Sequence, residues 1–238
     1  MGIVIFNGIS SQDFHIQVEH PPGYEFPERD YDLVHVPGRN GDIVLDKGSY
    51  KNVEREYEIA VAAINESFAT AANRISEWLH SASTYARLED SYEPEYYRMA
   101  LYSENNLVSN ILQHAGRTTV LFNCKPQRYL KQGEKPVIFI KSTGKLRNPT
   151  YFNALPIITV KGNGSGVLQV GNYIVNISSI EGSLIIDSEI QDAYNGTQNR
   201  NQYVTLNNGF PQLVSGESQI SFTGGITSVE VIPNWWTL

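Results

Sequence analysis

Hydrophobic and polar residues alternate with a period of two along most of this chain. An apolar run at Met1–Phe6 is followed by Phe14, Ile16 and Val18, each with polar neighbours. The clearest case is Val53–Val61, where Val53, Arg55, Tyr57, Ile59 and Val61 fall on one side and Glu54, Glu56 and Glu58 on the other. Period two over this length predicts a strand with one wet, acidic face. One segment has a different rhythm. Phe68, Ala71, Ile75, Trp78, Leu79 and Ala82 recur at helical spacings, which predicts an amphipathic helix over residues 66–81. Asn65 is placed to cap it and Trp78 to anchor it in the core. Strand-like runs follow at Thr84–Leu88, Tyr96–Tyr102, Leu107–Leu112 and Arg117–Asn123, so the first half reads as α+β.

From about residue 131 the texture changes. Lys131–Pro136 is polar and turn-rich, and no helical pattern follows it. Short β-rich runs recur at Val137–Ile140, Pro156–Lys161, Gly166–Val170, Tyr173–Ile177, Ser183–Ile186, Gln202–Leu206, Gln219–Phe222 and Thr227–Ile232. Gly162–Gly164, Gly171-Asn172 and Asn208-Gly209 separate them as turn formers. Many short strands at regular spacing predict an antiparallel sandwich or jelly roll.

Composition narrows the function classes. With 238 residues, 41% hydrophobic and 18% charged, the chain can build a sizeable core, and no run is long enough to span a bilayer. The N-terminus lacks a basic signal-peptide region, so a protein made in a cytoplasm and soluble there is expected, with no membrane association. The four N-x-S/T sequons, at Asn65, Asn163, Asn176 and Asn195, then reflect only richness in Asn, Ser and Thr. Cys124 is alone and forms no internal disulfide. The net charge of -7 belongs to the first half, where residues 1–130 hold 18 acids and 11 bases. An acidic surface repels phosphate and disfavours a nucleic-acid binder, although a channel that DNA slides through would tolerate it.

Chemistry is sparse. His15, His20, His35, His80 and His114 fall in no metal-ligand spacing, with His15 and His35 at strand positions, so no metal or cofactor is expected. No nucleophile elbow or phosphate loop is present, and Gly162–Gly166 reads as a flexible hairpin turn. Glu89, Asp90, Glu93 and Glu95 form one carboxylate cluster, and Asp187 with Glu189 another. Each is expected to be a solvated turn, not a catalytic pair, and no enzymatic activity is expected. Tyrosines cluster at Tyr92, Tyr96 and Tyr97, and at Tyr194 and Tyr203, which suits either a sugar site or a packing surface.

Several segments carry a resemblance, in order, over nearly the whole chain. They are Val36-Pro-Gly-Arg-Asn-Gly-Asp42 with Asp46–Tyr50, Asn148–Pro156, Ile186–Tyr194, Asn207–Leu213 with Gly216, and the ending Val229–Leu238. Together they resemble the distal tail protein (Dit) family of siphophages of Gram-positive hosts. One departure is Asn234, where that family's ending has Arg. The resemblance implies a ring-forming domain over residues 1–132, assembling as a homo-hexamer, and a galectin-like β-sandwich over residues 133–238. It implies a structural hub at the virion tail tip, between the tail tube protein and a tail-associated lysin or fibre protein. The outer domains would support receptor-binding proteins, and DNA would pass through the ring without specific binding. Within that frame Arg39 and Asn40 form a turn with a protruding cation. Either this turn pairs across the ring with the acidic row Glu54, Glu56 and Glu58, fixing register, or the two are an ordinary hairpin turn and a solvated strand face. The other reading is a carbohydrate-binding module. Trp235 and Trp236 are expected to seal the core of the second domain, which favours docking over sugar binding.

Overall fold

A computed structural model describes residues 2–102, 109–112 and 115–238, the middle segment as backbone alone. The expected strand Leu107–Leu112 therefore lies partly outside the described residues, and His114 wholly outside. The chain divides into two compact units, one up to Arg128 together with Leu238, the other Tyr129–Thr237.

The first unit holds β1 (Val4–Phe6), β2 (Ile9–Ser10), β3 (Ile16–Val18), β4 (Arg29–Val34), β5 (Ile43–Tyr50), β6 (Val53–Ala62), α1 (Phe68–Leu79), β7 (Ala86–Asp90), β8 (Tyr96–Tyr102), β9 (Ser109–Leu112) and most of β10 (Ala115–Leu130). Its main sheet runs β2-β1-β7-β8-β10-β6-β3, and β9 also pairs with β10. The alternation seen along Val53–Val61 appears directly in β6. Val53, Arg55, Tyr57, Ile59 and Val61 are buried, while Glu54, Glu56 and Glu58 are exposed. Helix α1 lays Ala71, Ile75, Trp78 and Leu79 into the same core, where the Trp78 indole N–H donates to the Phe6 carbonyl at 3.2 Å. Its cap is Ser67, not Asn65. Ser67 has extended backbone and its hydroxyl accepts the Thr70 N–H, whereas Asn65 takes a left-handed φ of 59° two residues earlier. The histidine expectation is also corrected: His15 is left-handed and closes a 3-10 turn, and His35 lies just past the end of β4.

The second unit holds β11 (Val137–Phe139), β12 (Thr143–Asn148), β13 (Ile157–Val170), β14 (Tyr173–Asp187), β15 (Asp192–Asn195), β16 (Gln198–Asn199), β17 (Val204–Asn207), β18 (Gly216–Ile232) and β19 (Trp236–Thr237). Its sheet runs β11-β18-β13-β14-β15-β16, with β12 also on β18 and β17 also on β14. Six of the expected short strands are thus halves of three long ones. Gly162–Gly166 is not a hairpin turn but a bulged stretch inside β13. Gly162 faces Gly182 of β14, and Gly166 faces Gly224 of β18, so glycines lie side by side across all three strands. A Cβ on Gly225 would overlap the Asn163 carbonyl oxygen, and one on Gly162 would overlap that of Gly225. Glycine is needed here for close backbone approach and not for flexibility. On either side of this crease, Leu168, Val175, Ile220 and Phe222 join Ile158, Leu184, Ile186 and Val231 in one core. One hydrogen-bonded sheet therefore folds over into two layers around that core.

The chain's last residues close the second core as expected. Trp235 is buried, and Trp236 stacks on Phe152 with centroids 4.5 Å apart while its indole donates to the Asn153 carbonyl. Asn234 adopts a φ of 54°, a conformation Asn tolerates better than Arg, and its amide donates to the Leu155 carbonyl.

Candidate functional site

Three features of the molecule exceed what the fold alone requires. The first is the hairpin of β4 and β5, which forms a sheet of its own and, among the described residues, pairs with no other strand. Its turn is built by Val36-Pro37-Gly38-Arg39. The Arg39 N–H donates to the Val36 carbonyl at 3.1 Å, with Pro37 and a positive-φ Gly38 in the central positions, as in a type II turn. Arg39 and Asn40 are therefore exposed at the tip of this hairpin. The charges along its flanks are matched internally. Arg29 pairs with Asp46, Lys47 with both Asp30 and Asp32, Lys51 with Glu28, and His35 lies 3.2 Å from Asp42. Among the described residues Arg39 makes no ion pair.

The second is the outer row of β6. Glu54, Glu56 and Glu58 lie on one exposed side of the strand; among the described residues only Glu58 has a basic partner, His20 at 3.8 Å. The Glu54 N–H donates to the Glu25 carboxylate at 3.0 Å, which ties the segment carrying Tyr24 and Phe26 to this strand. Phe26 is 89% exposed and Tyr24 60%. The structure thus locates the expected residues on two surfaces of the chain, Arg39 and Asn40 at the hairpin tip and the three glutamates on the strand. It does not bring the two together within the chain.

The third was read differently from sequence. Asp90 and Glu93 are not solvated in a turn but buried beneath it. Arg55 Nη2 donates to Asp90 Oδ2 at 3.0 Å and to Glu93 Oε2 at 2.9 Å, and Arg128 Nη1 donates to Glu93 Oε1 at 2.7 Å. Arg98 lies 3.4 Å from the same carboxylate, and the Tyr57 hydroxyl donates to Asp90 at 2.7 Å. Burial alone would raise the Asp90 carboxyl. The Tyr57 hydroxyl and the Arg55 guanidinium outweigh it and hold the group below the usual carboxylate range. The cluster acts as a clamp: Asp90 also accepts the N–H groups of Tyr92 and Glu93, pinning the β7–β8 turn onto the inward row of β6. Carboxylates locked in this way offer no free acid or base to a substrate. The signal was available, since Arg55 sits in the inward register of β6 and an inward cation requires a buried acid. Asp187 is likewise buried, accepting the Glu189 and Ile190 N–H groups. Burial pushes the Cys124 thiol up to about 12, so it is not a reactive thiolate.

Two further observations bear on ligands. A cleft of about 320 Å³ in the second unit is lined by Asn172, Tyr173, Asn208, Gln212 and Glu217 among others. Among the described residues no group of three or more His, Cys, Asp or Glu side chains is arranged to hold a metal ion, and no helix is long and apolar enough to cross a membrane.

No family model matches the sequence, and no curated protein matches it. Among solved structures, the SPP1 Dit (gp 19.1) protein matches over 100% of this chain and 100% of its own, with a TM-score of 0.79 and 14% sequence identity. Its crystal structure is described as a paradigm of the hub adsorption apparatus in Gram-positive infecting phages. At that identity the likeness is one of fold, and the chain has a Dit-like fold, mostly β with a single α-helix among the described residues.

Proposed function

We propose that this chain is a structural distal tail protein, a hub at the tip of a long phage tail. The observation that carries the reading is the end-to-end likeness in fold to a hub adsorption protein, over the whole of both chains. The ordered sequence segments that resemble the Dit family support it independently. In this reading the first domain assembles as a homo-hexameric ring and the second is a galectin-like β-sandwich used for docking. The ring joins the tail tube protein to a tail-associated lysin or fibre protein and supports receptor-binding proteins, and DNA passes through it without specific binding. Arg39 and Asn40 of one subunit meet Glu54, Glu56 and Glu58 of the next. A closed ring requires two different patches on each subunit, and the cationic tip and the acidic row are two such patches.

The test is the mass in solution by light scattering over a range of concentrations. A species near six times the 26.7 kDa chain is expected. A monomer at every concentration would overturn the ring. The second reading, a carbohydrate-binding module, draws on the cleft at Tyr173, where an aromatic ring is grouped with amides and a carboxylate. It predicts glycan binding that Tyr173→Ala abolishes, and a glycan array without hits rejects it.

A further inference from the structure

Strand β18 breaks its own pattern near its start. Its first inward positions are Ser218, Ile220 and Phe222, and the last two belong to the second core. Ser218 is buried as they are, at 2% exposure, yet its hydroxyl has no hydrogen-bond partner among the described residues. An orphaned buried hydroxyl lowers the stability of the free chain, and a small apolar side chain in its place would not. Ser218 also lines the cleft of about 320 Å³ in the second unit. A group that costs stability in the free chain and borders a cavity is accounted for if a ligand supplies its partner.

The rest of the cleft is held in place by its own hydrogen bonds. The Gly171 N–H donates to the Gln219 carbonyl at 2.7 Å, and the Asn208 amide to the Asn172 carbonyl at 3.0 Å. These fix the β13–β14 turn against β18 and against the loop that follows β17. Gln212 turns its oxygen to the Asn153 amide at 3.1 Å, and Glu217 gives one oxygen to Lys145 at 2.7 Å. The Gln212 amino group, the second Glu217 oxygen and the Ser218 hydroxyl remain for a ligand, with the half-buried Tyr173 ring beside them. Among the described residues that line the cleft there is no Lys, Arg or His.

A ligand for this site must both donate and accept hydrogen bonds, offer a face to an aromatic ring and carry no negative charge. Sugar hydroxyls meet the first demand and the C–H face of a pyranose the second. A phosphate or carboxylate would face Glu217 with no cation to offset it. The volume lies at the small end of ligand clefts, which run from about 300 to 1,000 Å³, and suits a single sugar unit. We propose that the cleft holds one uncharged hexose unit, with Tyr173 against its ring and the Ser218 hydroxyl as the group that selects it. The inference rests on the carbohydrate reading of this cleft and adds the class of sugar and the selecting residue. It does not compete with the hub, because the cleft lies wholly within the second unit.

The test uses the full-length protein and saturation-transfer NMR. The probes are the methyl glycosides of glucose, galactose, mannose, N-acetylglucosamine and N-acetylgalactosamine, with the 6-phosphate of whichever sugar binds. At least one neutral glycoside is expected to bind with a Kd on the order of 1 mM, and its phosphate about tenfold more weakly. Ser218→Ala is expected to weaken binding about tenfold while raising the melting temperature of the second unit, a pairing that a purely structural serine would not give. Binding that Ser218→Ala leaves intact, or a phosphate ester that binds as tightly, overturns the inference and leaves the carbohydrate reading standing. A lowered melting temperature in Ser218→Ala would mean that the hydroxyl already has a partner, and overturns it as well. No binding by any glycoside overturns both readings of the cleft, while the hub is judged separately by the mass in solution.

Discussion

Arg55 shows how one inward-facing cation organises its surroundings. It binds Asp90 and Glu93 at once, with its second terminal nitrogen on the Gly23 carbonyl, in a site where its side chain is only 3% exposed. Removing one partner of a buried pair leaves the other charge unpaired. Arg55→Leu is therefore expected to cost about 3–5 kcal/mol, read as a fall in the urea midpoint. Asp90 supplies a pH signature. Its folded pKa lies below the unfolded value of about 3.9, so its contribution is complete above that value and is lost as the pH falls through it towards the lower folded value. Asp90→Asn should lower stability near neutral pH and flatten the acid limb of the stability curve; an unchanged acid limb would mean the carboxyl is not held low. The inward position of Arg55 was legible from alternation alone. Its partners were not, because Asp90 and Glu93 lie on a turn whose folding back over β6 depends on tertiary contacts that no local pattern encodes.

At the scale of elements, periodicity carried the reading where one face of a segment is buried and failed where the backbone is irregular. Strand β6 and helix α1 were legible because each has a buried face that imposes a rhythm on the residues. The long strands β13, β14 and β18 were not, because a run of glycines has the same composition in a turn and in a bulge. Only the partner strand, with Gly225 against Asn163 and Gly224 against Gly166, decides between them. Gly225→Ala is expected to destabilise the second unit by about 1–3 kcal/mol, seen as a lowered melting temperature, since the clash is with backbone that cannot swing away. At the helix, Ser67→Ala is expected to cost about 1 kcal/mol, because the Ser67 hydroxyl is the group that accepts the Thr70 N–H. The charges of the β4–β5 hairpin could be read from sequence, but its isolation from both sheets could not. Its amides are expected to exchange faster than those of β6, measured by hydrogen exchange.

At the scale of the whole molecule, the described residues form two separate hydrophobic cores, one around Phe6, Tyr57 and Phe122, the other around Leu168, Ile186 and Val229. Two cores of this size are expected to give two calorimetric transitions, and Arg55→Leu should shift only one of them. In the sequence, the texture changes after residue 131 because helical and strand rhythms differ wherever a core is built.

The placement of β18 has a consequence in time. It lies between β13 on one side and both β11 and β12 on the other, yet it leaves the ribosome after all three. Strands β11 and β12 are made about 70 residues earlier and, among the described residues, have no other sheet neighbour. Until Gly216–Ile232 emerges they are unpaired edges on a growing chain, whereas the first unit's strands up to β10 already have their neighbours. Strands β13 to β17 can pair as they emerge, but the second sheet cannot take in β11 and β12 until β18 is made. During that interval the nascent second half is the part most exposed to misassembly with neighbouring copies.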